Sequence, residues 1–273
     1  MTSRSWLARA GAFIVVTLAS TVGHRGAEAA DDPFSSYRQM LGEDNPAELA
    51  VARGEEVWKT PRGPSNASLA GCDLGLGPGV VSGAYASLPR YFADTDSVMD
   101  FETRLVHCMV TVQGFARDEL TAKPFSERGA RQTDLEVLTA YAATQSRGTT
   151  IDVPQQVRQE RESYARGRAL FYRRAGPYDF ACATCHSADR RRIRLQELPN
   201  LTGAEGARSA FEHWPAYRIS QGAVRTMQWR LSDCVRQQRL PELVFGSQAS
   251  IDLITYLGVL ARGGAMDAPS LRR

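Results

Sequence analysis

Two stretches of the chain carry apolar residues at the spacing of an amphipathic helix, with residues three or four apart falling on the same face. The first stretch spans residues 134–143 and the second spans residues 252–261. The apolar positions are Leu135, Leu138 and Tyr141 or Ala142 in the first stretch, and Leu253, Ile254, Leu257 and Leu260 in the second. The pattern therefore predicts two helices, each closing one half of a mainly α-helical chain.

A short repeat precedes each of these helices at a similar place in its half of the chain. Residues 52–54 and 165–167 both read Ala-Arg-Gly, and each triplet is followed three residues later by a pair of large apolar residues. We interpret each triplet as the start of a helical stretch and the two halves as copies of one module, although such short matches also arise by chance. A linker is predicted at 145–154, where Ser, Gly, Thr and Pro interrupt the apolar pattern.

Residues 182–186 read Cys-Ala-Thr-Cys-His, which fits the C-x-x-C-H pattern for attachment of a c-type haem. Cys182 and Cys185 would each add to a vinyl group of the haem, and His186 would become the proximal iron ligand. A structural disulfide or half of a zinc site could use the same cysteines, but zinc would need a second pair of ligands, which the sequence does not supply. The motif therefore predicts one covalently attached haem c.

The N-terminus has the features of an export signal. Arg4 and Arg9 precede an apolar run at 11–22, and Ala-Glu-Ala at 27–29 is a small-residue cleavage site. The run is shorter than the roughly 20 residues that a membrane-spanning helix needs, so we expect a signal peptide at 1–29, cleaved near Ala29, and no membrane insertion. In a Gram-negative bacterium the mature protein would be periplasmic, in an oxidising compartment where free thiols can pair.

About 244 residues remain after this cleavage, which suits two domains better than one small haem domain. We therefore expect two cytochrome c-like domains in tandem, at 30–148 and 149–273. The formal net charge of +3 falls by two when the signal peptide is removed, so nucleic acid is not expected as a partner. Positive charge is local instead, because ten arginines outnumber five acidic residues between positions 182 and 240.

The first half of the chain departs from the second at the place of the haem motif. Cys72 is retained, but Gly75 and Leu76 stand where a second cysteine and a histidine would be, so this half is expected to have lost its haem. Cys108 is the candidate partner for Cys72 in an oxidising compartment. A disulfide between them would close a loop of about 36 residues and add a few kcal/mol of stability in place of the haem cross-link.

With two cysteines assigned to haem and two to a disulfide, Cys234 is left unpaired. If the surrounding segment is helical, Arg230 and Gln238 lie on the same face as Cys234, four residues before it and four residues after it. A guanidinium beside a sulfur favours the thiolate, and its planar fork can hold an oxyanion through two hydrogen bonds. The pattern indicates an anion-binding site that contains a nucleophile.

A second interpretation makes the chain a monohaem electron-transfer cytochrome without sulfur chemistry of its own. Met227 would then be the sixth iron ligand and Cys234 a buried small apolar residue. Met227 lies 41 residues after His186 and Cys234 lies 48 residues after it, so spacing alone does not separate the two. The arginine and glutamine residues around Cys234 favour Cys234, because a thioether ligand needs no anion-binding neighbours.

Several further segments resemble the SoxA family of cytochromes, which belong to the Sox thiosulfate-oxidising system. They are Cys72; Leu-Pro-Arg-Tyr-Phe at 88–92; Glu-Thr-Arg-Leu-Val-His-Cys-Met at 102–109; Ala-Arg-Gly-Arg at 165–168, before the haem motif; and Arg230 with Asp233 and Cys234. The resemblance covers nearly the whole mature chain. Some members of the family carry two haems in the SoxA chain, and the degenerate first site makes this chain similar to the single-haem type.

The resemblance implies an L-cysteine S-thiosulfotransferase rather than a carrier of electrons alone. Members of the family pair with a monohaem cytochrome, SoxX, and couple thiosulfate oxidatively to a cysteine of the SoxYZ carrier protein while two electrons leave through the haems. By this resemblance Cys182 and Cys185 anchor haem c, and His186 and Cys234 are its axial iron ligands. Cys234 is also the catalytic nucleophile, found in the family as a persulfide, and Arg230 binds the substrate.

Overall fold

The computed structural model describes residues 45–193 and 196–272, and the expected signal peptide at 1–29 lies outside these ranges. Helices dominate the described chain, as the apolar pattern predicts. They are α1 (Ala47–Lys59), α2 (Phe101–Thr111), α3 (Arg117–Thr121), α4 (Asp134–Thr144), α5 (Arg158–Tyr172), α6 (Cys182–His186), α7 (Ala204–Phe211), α8 (Met227–Gln237) and α9 (Gln248–Leu260). Within these described ranges, no helix has both the length and the apolar character needed to span a membrane.

Short β-strands, which the sequence pattern does not predict, lie between the helices. They are β1 (Arg90–Phe92), β2 (Ser97–Met99), β3 (Arg192–Ile193), β4 (Gln196–Glu197), β5 (Ala216–Arg218), β6 (Ala223–Arg225) and β7 (Ser270–Arg272). β1 pairs with β2 and β3 pairs with β4, both antiparallel. β5 is the central strand of a three-stranded sheet, antiparallel to β6 and parallel to β7. This sheet holds the end of the described chain beside the segment that leads into α8.

Side-chain caps fix where the predicted helices begin. Thr133 and Glu136 form a capping box at the start of α4. The Ser247 hydroxyl accepts a hydrogen bond from the Ser250 amide at the start of α9. Both predicted helices are confirmed, and α9 begins four residues earlier than its apolar pattern because this serine cap lies upstream of that pattern.

The Ala-Arg-Gly triplets lie in the middle of α1 and α5, so the prediction that each triplet starts a helix is wrong. Gly54 in α1 packs against the backbone carbonyl of Val137 in α4, and Gly167 in α5 packs against that of Asp252 in α9. A Cβ on either glycine would overlap the facing carbonyl oxygen, so the absent side chain is what permits the close approach. Both helix pairs therefore use the same contact, each at the glycine of an Ala-Arg-Gly triplet.

Replacing Gly167 with alanine is expected to destabilise the protein. The new methyl group would meet the Asp252 carbonyl and also the Tyr256 Cβ, which lies 2.9 Å from the Cβ position, so α5 and α9 would have to separate. Overpacking of this kind costs about 1–3 kcal/mol, which thermal unfolding would register as a lower Tm. Gly71→Ala is the matched control, because the nearest atom to its Cβ position is a side-chain carbon at 3.6 Å. Equal Tm values for the two variants would contradict the claim that the close packing of α5 and α9 requires glycine at position 167.

The segment predicted as a linker, 145–154, packs along the end of the chain. The Gly148 amide donates a 2.9 Å hydrogen bond to the Met266 carbonyl, and the Ile151 amide donates a 2.8 Å bond to the Gly264 carbonyl. Ile151 is fully buried in a hydrophobic core to which both halves of the chain contribute. The glycine and polar residues of this segment therefore form turns, while its apolar residues anchor it.

Cys72 and Cys108 form a disulfide with Cα atoms 5.4 Å apart, the pairing expected from the sequence. Both residues are buried in the first half of the chain, where the bond ties the loop before β1 to α2. Cys182, Cys185 and Cys234 are free thiols. Cys234 is therefore the unpaired cysteine outside the haem motif, as the cysteine count indicates.

Candidate functional site

The Cys-Ala-Thr-Cys-His segment forms α6 and makes up one wall of a cavity. The Ala181 amide donates a 2.9 Å hydrogen bond to the Thr184 hydroxyl, and this bond fixes the first turn of α6. Cys182, Cys185 and His186 all line the cavity, whose volume is about 420 Å³. The structure thus brings the three residues of the predicted haem motif to one place.

His186 is oriented by a backbone contact for which the sequence gives no periodic signal. Its Nδ1 lies 2.9 Å from the Pro199 carbonyl oxygen, to which a neutral imidazole donates its proton. Nε2 then carries the lone pair, which is the usual arrangement for a metal-ligating histidine. Burial lowers the pKa of His186 against the opposing effect of the Pro199 bond, and Arg230 adds to the lowering. The neutral form, which is the form that binds iron, is therefore favoured.

One face of α8 forms the opposite wall of the cavity. Met227, Arg230, Leu231, Cys234 and Val235 line this wall at spacings of three or four residues, as on one side of a helix. The helix expected around Cys234 is confirmed, and Arg230 and Cys234 share its cavity-facing side.

The first half of the chain holds the start of α8 in place. Arg225, at the end of β6, donates a 2.6 Å hydrogen bond to Glu136 of α4, and both side chains are almost completely buried. One residue into α8, Gln228 Nε2 donates a 2.6 Å bond to the Asp100 carboxylate at the start of α2. Removing one partner of such a buried contact is costly, because it leaves the other partner's charge buried without compensation. The helix that carries Cys234 is therefore positioned by both halves of the chain.

Cys234 lies close enough to the motif cysteines for their charges to interact. Burial is the largest cause that raises the pKa of Cys182 to about 12, and the charge of the neighbouring Cys234 is the second cause in the same direction. Burial raises the pKa of Cys234 more than Arg230 lowers it, and Cys185 raises it further. Arg230 thus favours the thiolate as expected, but burial has the larger effect and the pKa of Cys234 is raised overall.

Met227, the alternative sixth ligand, lines the same cavity about two turns of α8 away from Cys234. Met227 is 6% exposed and also lines a small space beside Tyr85 and Phe101 of the first half. Cys234 interacts electrostatically with Cys182 and Cys185, so it lies near the haem motif. Both candidate ligands therefore face the cavity, and iron ligation by Cys234 stays a prediction.

A second cavity, of about 490 Å³, adjoins the first and shares several of its residues, Cys185, His186 and Cys234 among them. Arg218 and Arg230 also line both cavities. Arg218 ends β5 and is a site residue that the sequence pattern does not reveal, because a three-residue strand is too short to show a period. The two arginines give the site a positively charged mouth.

The chemistry of the first cavity fits a c-type haem. Two thiols and an imidazole lie together on α6, and a free thiol lies on the facing helix. Apolar side chains form most of the remaining walls, and they include Phe171, Leu198, Leu201, Phe211, Trp214, Leu253 and Leu257. Such walls suit the apolar faces of a tetrapyrrole and limit the access of water to the iron.

Comparison with known proteins supports this interpretation. A family model described as the SoxA/TsdA cytochrome c domain matches residues 53–151. An L-cysteine S-thiosulfotransferase subunit SoxA from Hydrogenophilus thermoluteolus is 48% identical over 240 residues, which cover 88% of this chain and 87% of the relative. A protein of the same description from Hydrogenobacter thermophilus is 32% identical over 84% of this chain and 82% of the relative.

A crystal structure of SoxXA from P. pantotrophus has a similar fold, with a TM-score of 0.71 over 87% of this chain and 84% of that chain. Its sequence identity is 24%, so the likeness concerns the fold alone, which is mainly helical and cytochrome c-like. A cytochrome c domain implies haem c as the cofactor. The extent and identity of the sequence matches show that the protein belongs to the SoxA family of L-cysteine S-thiosulfotransferase subunits.

Proposed function

We propose that this chain is the catalytic subunit that couples thiosulfate oxidatively to a cysteine of a carrier protein, with Cys234 as the nucleophile. The observation that carries the proposal is the meeting of Cys234 and the haem-attachment motif in one cavity, with Arg230 beside them. The SoxA relatives are described as L-cysteine S-thiosulfotransferase subunits, which supports the same activity here. A simple electron carrier would need neither the free thiol nor the charged mouth.

One haem c would be held by α6 and α8. Cys182 and Cys185 would form the two thioether bonds, His186 would be the proximal ligand and Cys234 the distal ligand. The Pro199 carbonyl supports this assignment, because its hydrogen bond holds the His186 ring with Nε2 available to iron. When bound, the haem supplies an acceptor for the electrons that sulfur oxidation releases.

The first chemical step joins two sulfur atoms. Thiosulfate is a dianion, so the positive mouth attracts it and Arg230 can hold two of its sulfonate oxygens. Its outer sulfur would then form a bond with the thiolate sulfur of Cys234, and the two electrons released would pass to cytochrome c along the path that the bound haem supplies. If Cys234 carries a persulfide, as the family resemblance implies, its terminal sulfur takes the same part.

The second step passes the thiosulfonate group to the carrier. The thiolate of the carrier cysteine attacks the sulfur that is bonded to Cys234, which was the outer sulfur of thiosulfate. The bond between this sulfur and Cys234 breaks, and Cys234 leaves as a thiolate. The carrier gains an S-thiosulfonate group and Cys234 is restored for another turnover. Cys234 thereby divides one oxidation into two steps with lower barriers.

The first half, at 30–148, would be a cytochrome c-like domain that has lost its haem, and 149–273 would be the haem domain. The shared glycine contact of the α1–α4 and α5–α9 pairs supports a duplicated module. The match of the SoxA/TsdA cytochrome c model to residues 53–151 supports the assignment of the first copy. In that copy the Cys72–Cys108 disulfide provides the covalent cross-link.

The partners of this chain would be a SoxX-type monohaem cytochrome, in a heterodimer, and a SoxYZ-type carrier in the periplasm. The first is supported by the P. pantotrophus structure, which is of SoxXA. A covalent haem c and the Cys72–Cys108 disulfide both suit an exported protein. The expected signal peptide at 1–29 would deliver the chain there.

The proposal is tested by the mass of the carrier. The purified complex of this chain with its cytochrome partner would be mixed with thiosulfate, oxidised cytochrome c and a carrier that has one free cysteine. We expect the carrier to gain one thiosulfonate group while two electrons reach cytochrome c for each group transferred. A carrier without its cysteine is the control. Reduction of cytochrome c with no change in carrier mass would favour the monohaem electron carrier and contradict the transferase.

A further inference from the structure

Arg218 lies at the mouth of the site, on a different element from Arg230. It is the last residue of β5, and in the parallel β5–β7 pair it lies opposite Arg272. Arg218 lines both the haem cavity and the adjoining cavity, as Arg230 does from α8. The sheet and α8 thus each present a guanidinium to both cavities, and Arg272 of β7 lines the haem cavity as well. The backbone pairing of β5 on both sides holds Arg218 in position.

The guanidinium of Arg218 has unused hydrogen-bonding capacity. Its Nε is buried and has no hydrogen-bond partner among residues 45–193 and 196–272. A buried donor without a partner is unfavourable, so a ligand that accepts a hydrogen bond from this Nε would be favoured. The Arg218 guanidinium therefore has a donor that a bound ligand could use.

Arg230 is also weakly paired in the structure. Its Nη1 lies 3.7 Å from an Asp233 oxygen, which is longer than a hydrogen bond. The two Asp233 oxygens instead accept 2.6 Å hydrogen bonds from Arg236 and Gln237. Asp233 is therefore engaged elsewhere, and the positive charge of Arg230 is left for an anion.

The two arginines lie close enough to affect each other. Burial is the first cause that lowers the pKa of Arg218, and the neighbouring charge of Arg230 lowers it further. Arg272 acts in the same direction and Asp233 in the opposite one. A dianion between the two guanidiniums would relieve this repulsion, whereas a monoanion would neutralise only half of their charge.

We propose that Arg218 and Arg230 together form a two-sided clamp for the sulfonate group of thiosulfate, with Arg218 as a second substrate-binding residue that gives selectivity for dianions. The identity of the ligand, thiosulfate, rests on the proposed function. Three sulfonate oxygens can accept hydrogen bonds from two guanidiniums that approach from different elements. Held in this way, the sulfonate leaves the outer sulfur of thiosulfate pointing toward Cys234.

The clamp is tested with Arg218→Gln and Arg218→Lys in the intact complex. Because each charged hydrogen bond contributes about 1.5–3 kcal/mol, we expect Arg218→Gln to raise the KM for thiosulfate about tenfold or more, with a smaller change in kcat. Arg218→Lys should raise the KM less than Arg218→Gln does, because lysine keeps the positive charge but lacks the planar guanidinium that donates two hydrogen bonds. Arg158→Gln is the matched control, since Arg158 lies on α5 with its side chain 72% exposed.

Binding of sulfate, an unreactive dianion, provides a second readout that does not depend on turnover. Isothermal titration should show sulfate binding to the wild-type complex, weakened about tenfold in Arg218→Gln and unchanged in Arg158→Gln. Unaltered haem absorption and Tm would show that the variants fold. An unchanged KM and unchanged sulfate affinity in Arg218→Gln would overturn the clamp. If sulfate affinity depends on Arg218 but the wild type transfers no thiosulfonate, the clamp stands and the proposed function fails.

Discussion

Cys234→Ser is expected to abolish thiosulfate transfer while haem c stays covalently attached. Serine has nearly the size of cysteine, but its hydroxyl neither forms a stable bond to the outer sulfur of thiosulfate nor leaves from one as a thiolate does. Loss of a covalent nucleophile typically lowers kcat by roughly 10³-fold or more. Carrier mass after incubation with thiosulfate measures the transfer, and haem absorption measures the cofactor.

The control for this variant is Met227→Leu, on the same face of α8. Leucine fills a similar volume, so the cavity wall and most of the turnover should be preserved. If Cys234→Ser retains substantial transfer activity with a full complement of haem, Cys234 has no place in the chemistry. If Met227→Leu loses transfer activity and alters the haem spectrum instead, the electron-carrier interpretation gains support.

The double variant Cys182→Ser with Cys185→Ser is expected to lose covalent haem completely. Thioether bonds need the two thiols, which lie on one turn of α6 facing the cavity. Without the haem, the apolar walls of a cavity of about 420 Å³ would face water, and the second half should lose much of its stability. Haem staining of the denatured chain measures attachment, and circular dichroism during heating measures stability.

Removal of the disulfide is the matched control for the loss of haem. Cys72→Ala with Cys108→Ala takes away two cysteines that are bonded to each other in the first half. This variant should keep its full haem stain and lose about 2–4 kcal/mol of stability. Covalent haem that survives in the Cys182 and Cys185 double variant, or that disappears from the disulfide variant, would contradict the assignment of the anchors.

The sequence predicts α4 and α9 because their apolar faces are long. α4 and α9 each carry three or more apolar residues at helical spacing, and both are found where the pattern puts them. The triplets at 52–54 and 165–167 both lie within helices but do not mark the helix starts. Their glycines are explained by contacts with helices about 80 residues further along the chain, and local sequence carries no signal for such contacts.

Some residues of the candidate site can likewise be predicted from the sequence, and others cannot. Arg230 and Cys234 share a face of one helix, so the spacing of four residues predicts their common orientation. Arg218 and Pro199 reach the site through a three-residue strand and a loop, and only tertiary packing brings them there. The upward pKa shift of Cys234 is likewise a consequence of burial, which the neighbouring residues in the sequence do not reveal.

Electron paramagnetic resonance of the oxidised holoprotein tests most directly whether the Cys234 sulfur binds the haem iron. Thiolate and thioether ligands give low-spin haem different spectra and reduction potentials. We predict a thiolate-type spectrum that is lost, with a rise in potential, in Cys234→Ala and is retained in Met227→Leu. A thioether-type spectrum that is retained in Cys234→Ala and lost in Met227→Leu would contradict the assignment of Cys234 to the iron.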